Sequence, residues 1–243
     1  MLKKIGSLSI LTFKEGVRDR AILGIGLFSL VMMSITLIII SFFMRELNKV
    51  AVDINLSVIT LAGLLLTFFV SINLMAKDID KKTIYCVMSK PFSRAEYVWG
   101  KYFGLMLILS AAFAVLTICS STTIALAKFQ YAAWFSGFLW LEYYKAVYAA
   151  FLMFFILNAI VIFFSSITSS SFITLLFSIS IYIAGQTIEE VVIYLKSGAG
   201  METQLGSVNQ RIIEIGQYIL PNLSVFDLTV QAAHAIPITL SYL

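Results

Sequence analysis

The sequence predicts an all-α polytopic membrane protein. It reads as a single transmembrane domain over residues 1–243, with an N-terminal interfacial helix, five spans, an incomplete sixth, and a cytoplasmic helical segment between spans two and three. Three observations carry this. The chain is 60% hydrophobic and 12% charged, where a soluble domain carries about 25% charged residues; its mean hydropathy is +0.96. The apolar residues come in long uncharged stretches, as a helix needs to cross a hydrocarbon core of about 30 Å. The cations cluster in two places, five before residue 21 and six between Lys77 and Lys101.

Residues 1–20 form the interfacial helix. Leu2, Ile5, Leu8 and Phe13 fall near one face and Lys3, Lys4, Lys14 and Arg18 elsewhere, so the apolar side enters the acyl boundary and the cations meet lipid phosphates. Membrane lipids are thus expected partners through Arg18, Arg20 and their neighbours, with Glu15 among them. A plain extension of the first span is the alternative. The charges at 14–20 interrupt any signal-peptide core, and no small-residue cleavage pattern follows.

Ala21–Phe43 is the first span, and Met44–Asn55 reads as a short polar loop. Leu56–Ala76 is the second span, Tyr102–Ala127 the third, Ala146–Ile167 the fourth. Between the last two, residues 128–144 are rich in aromatic rings suited to the headgroup level. A turn of hydroxyl residues, Ser165–Ser171, precedes the fifth span, which starts at Phe172 and meets Glu189 and Glu190. A carboxylate at mid-bilayer costs about 2.5–3.5 kcal/mol on insertion scales, so the helix leaves the membrane there or lines a polar vestibule. Residues 212–219 suggest an amphipathic helix ending before Pro221, and the last 15 residues the start of a sixth span.

The loops at 44–55 and 128–145 are poor in Lys and Arg, whereas the N-terminal tail and residues 77–101 are rich. This asymmetry places the N-terminus and 77–101 in the cytoplasm and most of 186–240 outside.

The segment from Lys77 to Lys101 holds Lys77, Lys81, Lys82, Lys90, Arg94 and Lys101 against Asp78, Asp80 and Glu96. Ser93-Arg94-Ala95-Glu96 has the form of a capping box. Pro91 disfavours helix at Lys90. Asp78 and Asp80 suit the start of a short helix. The expected shape is helix, turn, then one helix from Arg94 to about Ala127, roughly 50 Å long at 1.5 Å per residue. A basic loop held at anionic headgroups is the alternative.

These residues resemble the cytoplasmic signature of ABC-2 type transporter permeases. The matching positions are Asp78, Asp80, Thr83, Pro91, Ser93, Arg94, Tyr97, Gly100 and Lys101. Thr12–Arg20 resembles the family's N-terminal interface helix and Tyr218–Leu228 its external segment before the last span. The resemblance implies a dimeric permease in the plasma (inner) membrane of a prokaryote, N-terminus inside, driven by a separate ABC ATP-binding subunit. Asp78, Asp80, Thr83, Lys90, Pro91, Ser93, Arg94, Tyr97 and Lys101 would couple to that subunit. ATP and Mg would bind there and no cofactor in this chain, which has no G-x-x-x-x-G-K-[ST]. The rival is a non-transporting anchor that recruits a soluble partner through 77–101.

Other chemistry is poorly supported. There is no basic stripe with interleaved aromatics for nucleic acid, despite a net charge of +4. His234 has no companions at metal-ligand spacing. Cys86 and Cys119 suggest no disulfide framework, and no nucleophile–base set appears, so an enzyme is not expected. Asn73 and Asn158 lie within spans, where they would hydrogen-bond between helices. With Glu189 and Glu190 they are candidates for polar residues on a substrate path.

Overall fold

In the computed structural model, residues 2–42, 46–75, 93–135, 137–168, 170–196, 221–234 and 236 are described. The helices are α1 (Leu2–Val17), α2 (Arg20–Phe42), α3 (Leu47–Leu65), α4 (Arg94–Gln130), α5 (Trp140–Ile167), α6 (Ser171–Lys196) and the short α7 (Thr229–Ala233). After Leu65 the same helix, counted below as part of α3, winds as a π-helix over Leu66–Ser71 and returns to α-helix as far as Met75. Among the described residues, five helices are long and apolar enough to cross a membrane.

The stretch expected as a polar loop after the first span is largely helical. Leu47, Ala51, Asn55 and Ile59 recur every four residues and all are buried, so α3 starts nine residues before the expected Leu56. Asp53 stays exposed on the opposite side. Spacing, not polarity, decides this segment. As a result α3 is the most enclosed span, with 67% of its most apolar stretch buried, against 17% for α2 and α6.

The aromatic connection between α4 and α5 also differs from expectation. Phe135, Phe138 and Tyr143 turn into the core, and Ser120 and Tyr143 share a hydrogen bond of 2.5 Å. Phe129 and Trp134 face outward as expected of headgroup-level rings. Helix α6 runs unbroken through Glu189 and Glu190. Against it, Leu223 donates its amide to the Gly185 carbonyl at 3.0 Å, and residues 223–233 pack into the larger of two apolar clusters. The smaller cluster joins the end of α3 (Leu66–Met75) to the first turns of α4 (Tyr102–Leu109), at the end of the bundle that carries α1. The expected helix at 212–219 lies outside the described residues; of the last 15 residues, expected to start a sixth span, Thr229–Ala233 form the short α7 and most of the rest lie outside the described residues.

Candidate functional site

Helix α1 packs most extensively on α4, and small residues make this so. Leu8, Ser9, Thr12 and Gly16 face inward, while Ile5 and Phe13 are half-buried and Ile10, Leu11 and Val17 are exposed. The inward face is therefore smaller and more polar than the expected Leu2–Ile5–Leu8–Phe13 stripe. It meets two glycines one turn apart on α4. A Cβ at Gly104 would lie 2.5 Å from Thr12 Cβ and 2.9 Å from the Ser9 carbonyl oxygen. At Gly100 it would lie 2.6 Å from a Leu8 methyl. Close approach of two helix backbones through small residues is how membrane helices associate when lipid gives no hydrophobic drive.

Polar contacts reinforce the crossing. Ser9 Oγ donates to the Gly100 carbonyl at 3.0 Å. Lys101 Nζ lies 3.9 Å from Glu15 Oε2, with the lysine side chain only 4% exposed. Taking a cation out of water is costly unless an anion and hydrogen bonds compensate, so Glu15 is placed where burial of Lys101 requires it. Thr12 Oγ1 is buried without a hydrogen-bond partner among the described residues.

The start of α4 is capped as expected. Ser93 Oγ accepts from the Glu96 amide at 3.2 Å and Glu96 Oε2 accepts from the Ser93 amide at 2.9 Å, closing the box. Tyr97 is buried and Arg94 is exposed. Ser93 thus caps α4, Tyr97 and Lys101 follow within its first three turns, and Lys101 lies beside Glu15 of α1. Arg18 and Arg20 stand exposed at the α1–α2 elbow. Asp78, Asp80, Thr83, Lys90 and Pro91 lie outside the described residues.

The membrane-embedded candidates do not converge. Asn158 is fully buried, accepts from Ser71 Oγ at 2.9 Å and donates to Met106 Sδ at 3.3 Å. It ties α5 to the end of the π segment and to α4. Asn73, expected to do the same, is exposed: two residues on from Ser71, it falls on another side of the helix. Glu189 accepts from Ser224 Oγ and from Asn222 Nδ2, so it holds the chain before α7 to α6, while Glu190 is exposed.

Sequence reasoning passed over Ser9, Thr12, Gly16 and Gly104, because a face of small residues gives no hydrophobic stripe. Glycines recurring every fourth residue, Gly100 and Gly104, were the available signal. It also passed over Ser71, the last residue of the π segment, which donates to Asn158.

Among the described residues, a helical bundle of five membrane-length helices, with an amphipathic N-terminal helix clamped to the capped end of the longest, defines an integral membrane protein. The chain belongs to the ABC-2 family of transporter proteins, whose model, described as ABC-2 family transporter protein, matches residues 8–235. It is a membrane permease component of an ABC transporter. Comparison with curated proteins finds no match.

Proposed function

We propose that this permease exports a hydrophobic or amphipathic solute, or a lipid-linked compound, with energy from ATP hydrolysed on a separate ABC subunit. That subunit docks on residues 77–101 at the cytoplasmic side, where ATP and Mg stay with it, and two permease chains together line the path. The observation that supports this is the clamp between α1 and α4. Helix α4 is a single element of 37 residues, about 55 Å long at 1.5 Å per residue. Its first turns are fixed to α1 by the Ser9–Gly100 bond and the Glu15–Lys101 pair. A force applied at the segment just before Ser93 moves both helices as one body and reaches the far side of the bilayer without a joint to absorb it. An anchor needs no such stiffness.

The test is a set of three variants, co-reconstituted in vesicles with the ATP-binding subunit. Arg94→Ala removes an exposed fork of donors suited to a partner's carboxylates and leaves the Ser93–Glu96 cap. Pro91→Ala lifts the restriction that a proline places on the residue before it, Lys90. Coupling between sites is typically worth about 1–3 kcal/mol, so both variants lose on the order of tenfold in substrate-stimulated ATP hydrolysis and transport while still inserting. Lys81→Ala is milder. Indifference of the ATPase to all three would support the anchor and sink the proposal. Equal losses that track only the number of cations removed would point to lipid headgroups instead.

A further inference from the structure

Beside the clamp lies a groove that neither the family nor the coupling role explains. It runs under the α1–α2 elbow, between α2 and α4, with a volume of about 420 Å³. Val17, Ile22, Leu23, Gly26, Ala112 and Leu116 are among its walls, and the lining is apolar along its length. That volume falls within the ~300–1,000 Å³ of ligand sites. Gly26 faces open space in this wall, since a Cβ added there would meet no atom within 4 Å.

Charge stands at one end only. Val17 and Ile22 flank the elbow, where Arg18 and Arg20 are exposed. Lys14, also exposed, lies in the last turn of α1, four residues before Arg18. Asp19, between the arginines, is half-buried, so three exposed cations stand here against one half-buried carboxylate. Glu15 is turned toward Lys101. The elbow therefore offers a cationic mouth to an apolar slot.

We propose that this groove holds one acyl chain of an acidic phospholipid, with its phosphate at Arg18 and Arg20. The apolar wall alone gives no preference over bulk lipid, because tails are as apolar as the lining. Selectivity comes from the arginines: each basic residue near an anionic surface favours it by an amount equal to about fivefold in affinity. Two together give on the order of tenfold or more for an acidic over a zwitterionic headgroup.

The experiment reconstitutes the protein in vesicles of equal parts phosphatidylglycerol and phosphatidylcholine. It is then extracted in mild detergent and the lipid-bound forms are weighed by native mass spectrometry. The wild type is expected to retain one phosphatidylglycerol per chain with about tenfold preference. Arg18→Ala with Arg20→Ala, both on exposed side chains, abolishes the preference. Gly26→Leu fills the slot and removes the bound lipid. Gly24→Leu adds the same bulk on the same helix where a Cβ also meets nothing, but outside the groove lining, and keeps it. Equal retention of the two lipids by the wild type would overturn the proposal, as would retention by Gly26→Leu equal to that by Gly24→Leu. If Gly26→Leu shifted the protein from dimer to monomer and left lipid retention alone, a second copy of the chain would be the occupant and the proposal would fail.

Discussion

Gly104→Ala adds a single methyl group at the tightest point between α1 and α4. The new carbon would sit 2.5 Å from Thr12 Cβ and 2.9 Å from the Ser9 carbonyl oxygen. The second neighbour is backbone and cannot rotate away, so α1 must retreat. Overpacking of this kind costs about 1–3 kcal/mol. Replacing a helix-interior glycine by alanine returns about 1 kcal/mol of propensity. The balance is a net loss of up to about 2 kcal/mol, felt as weaker docking of α1. A thiol at position 12 reads this directly. Thr12 is fully buried and its hydroxyl bonds to nothing among the described residues, so Thr12→Cys forfeits no hydrogen bond. With Cys86 and Cys119 replaced, the alkylation rate of that thiol measures how often α1 opens. Gly104→Ala is expected to raise the rate on the order of tenfold, the equivalent of about 1.4 kcal/mol. Gly24→Ala, where a Cβ meets nothing within 4 Å, leaves it unchanged. Alkylation in the Gly104→Ala background no faster than in its parent would refute the close crossing.

Two further outcomes follow from other contacts. A double-mutant cycle of Ser71→Ala and Asn158→Leu, read by unfolding in mixed micelles, is expected to give a coupling of about 0.6–1.7 kcal/mol, the range for hydrogen bonds between membrane helices; a value of zero would mean that the 2.9 Å bond adds nothing. Gly185→Ala places a Cβ 2.7 Å from the Pro221 carbonyl oxygen, which lies in backbone. It should expose the segment before α7 to protease several-fold faster, through an overpacking cost of about 1–3 kcal/mol, and unchanged cleavage would count against the packing of 221–228 on α6.

The spans were legible because each needs only length and apolarity, and these are one-dimensional properties. The Ser93–Glu96 box was legible for the same reason, being complete within four residues. What escaped depended on a partner distant in sequence. Asn55 looked like the end of a loop, yet it is fully buried and donates to the Ala51 carbonyl at 2.8 Å, because Leu47, Ala51 and Ile59 bury the same face. Phe135, Phe138 and Tyr143 share their composition with Phe129 and Trp134, and only the fold decides which rings turn inward. Lys101 could be read as part of a basic segment. That it is buried beside Glu15, 86 positions earlier in the chain, is a fact of α1 lying across α4.

The two helices that flank residues 76–92 are built differently, and this bears on where a force on that segment goes. Helix α4 has no proline and no π turn, and its glycines at 100 and 104 are packed against α1, so two common causes of a sharp kink are missing between Arg94 and Gln130. It is tied at successive levels: Ser9 to Gly100, Tyr102 Oη to the Phe155 carbonyl at 3.3 Å, Asn158 to Met106, and Ser120 to Tyr143. Helix α3 instead carries the π segment at Leu66–Ser71, a winding that appears as single-turn bulges, frequently at functional sites. The π turn lies within the last three turns before residue 76, and a buried Thr67 hydroxyl within it has no partner among the described residues. One flank is therefore stiff and multiply tied, and the other has a compliant turn. If the ATP-binding subunit docks on that segment as proposed, a displacement there would be taken up by rewinding of α3, while α4 and α1, tied at Gly100 and Lys101, would carry it onward as a unit.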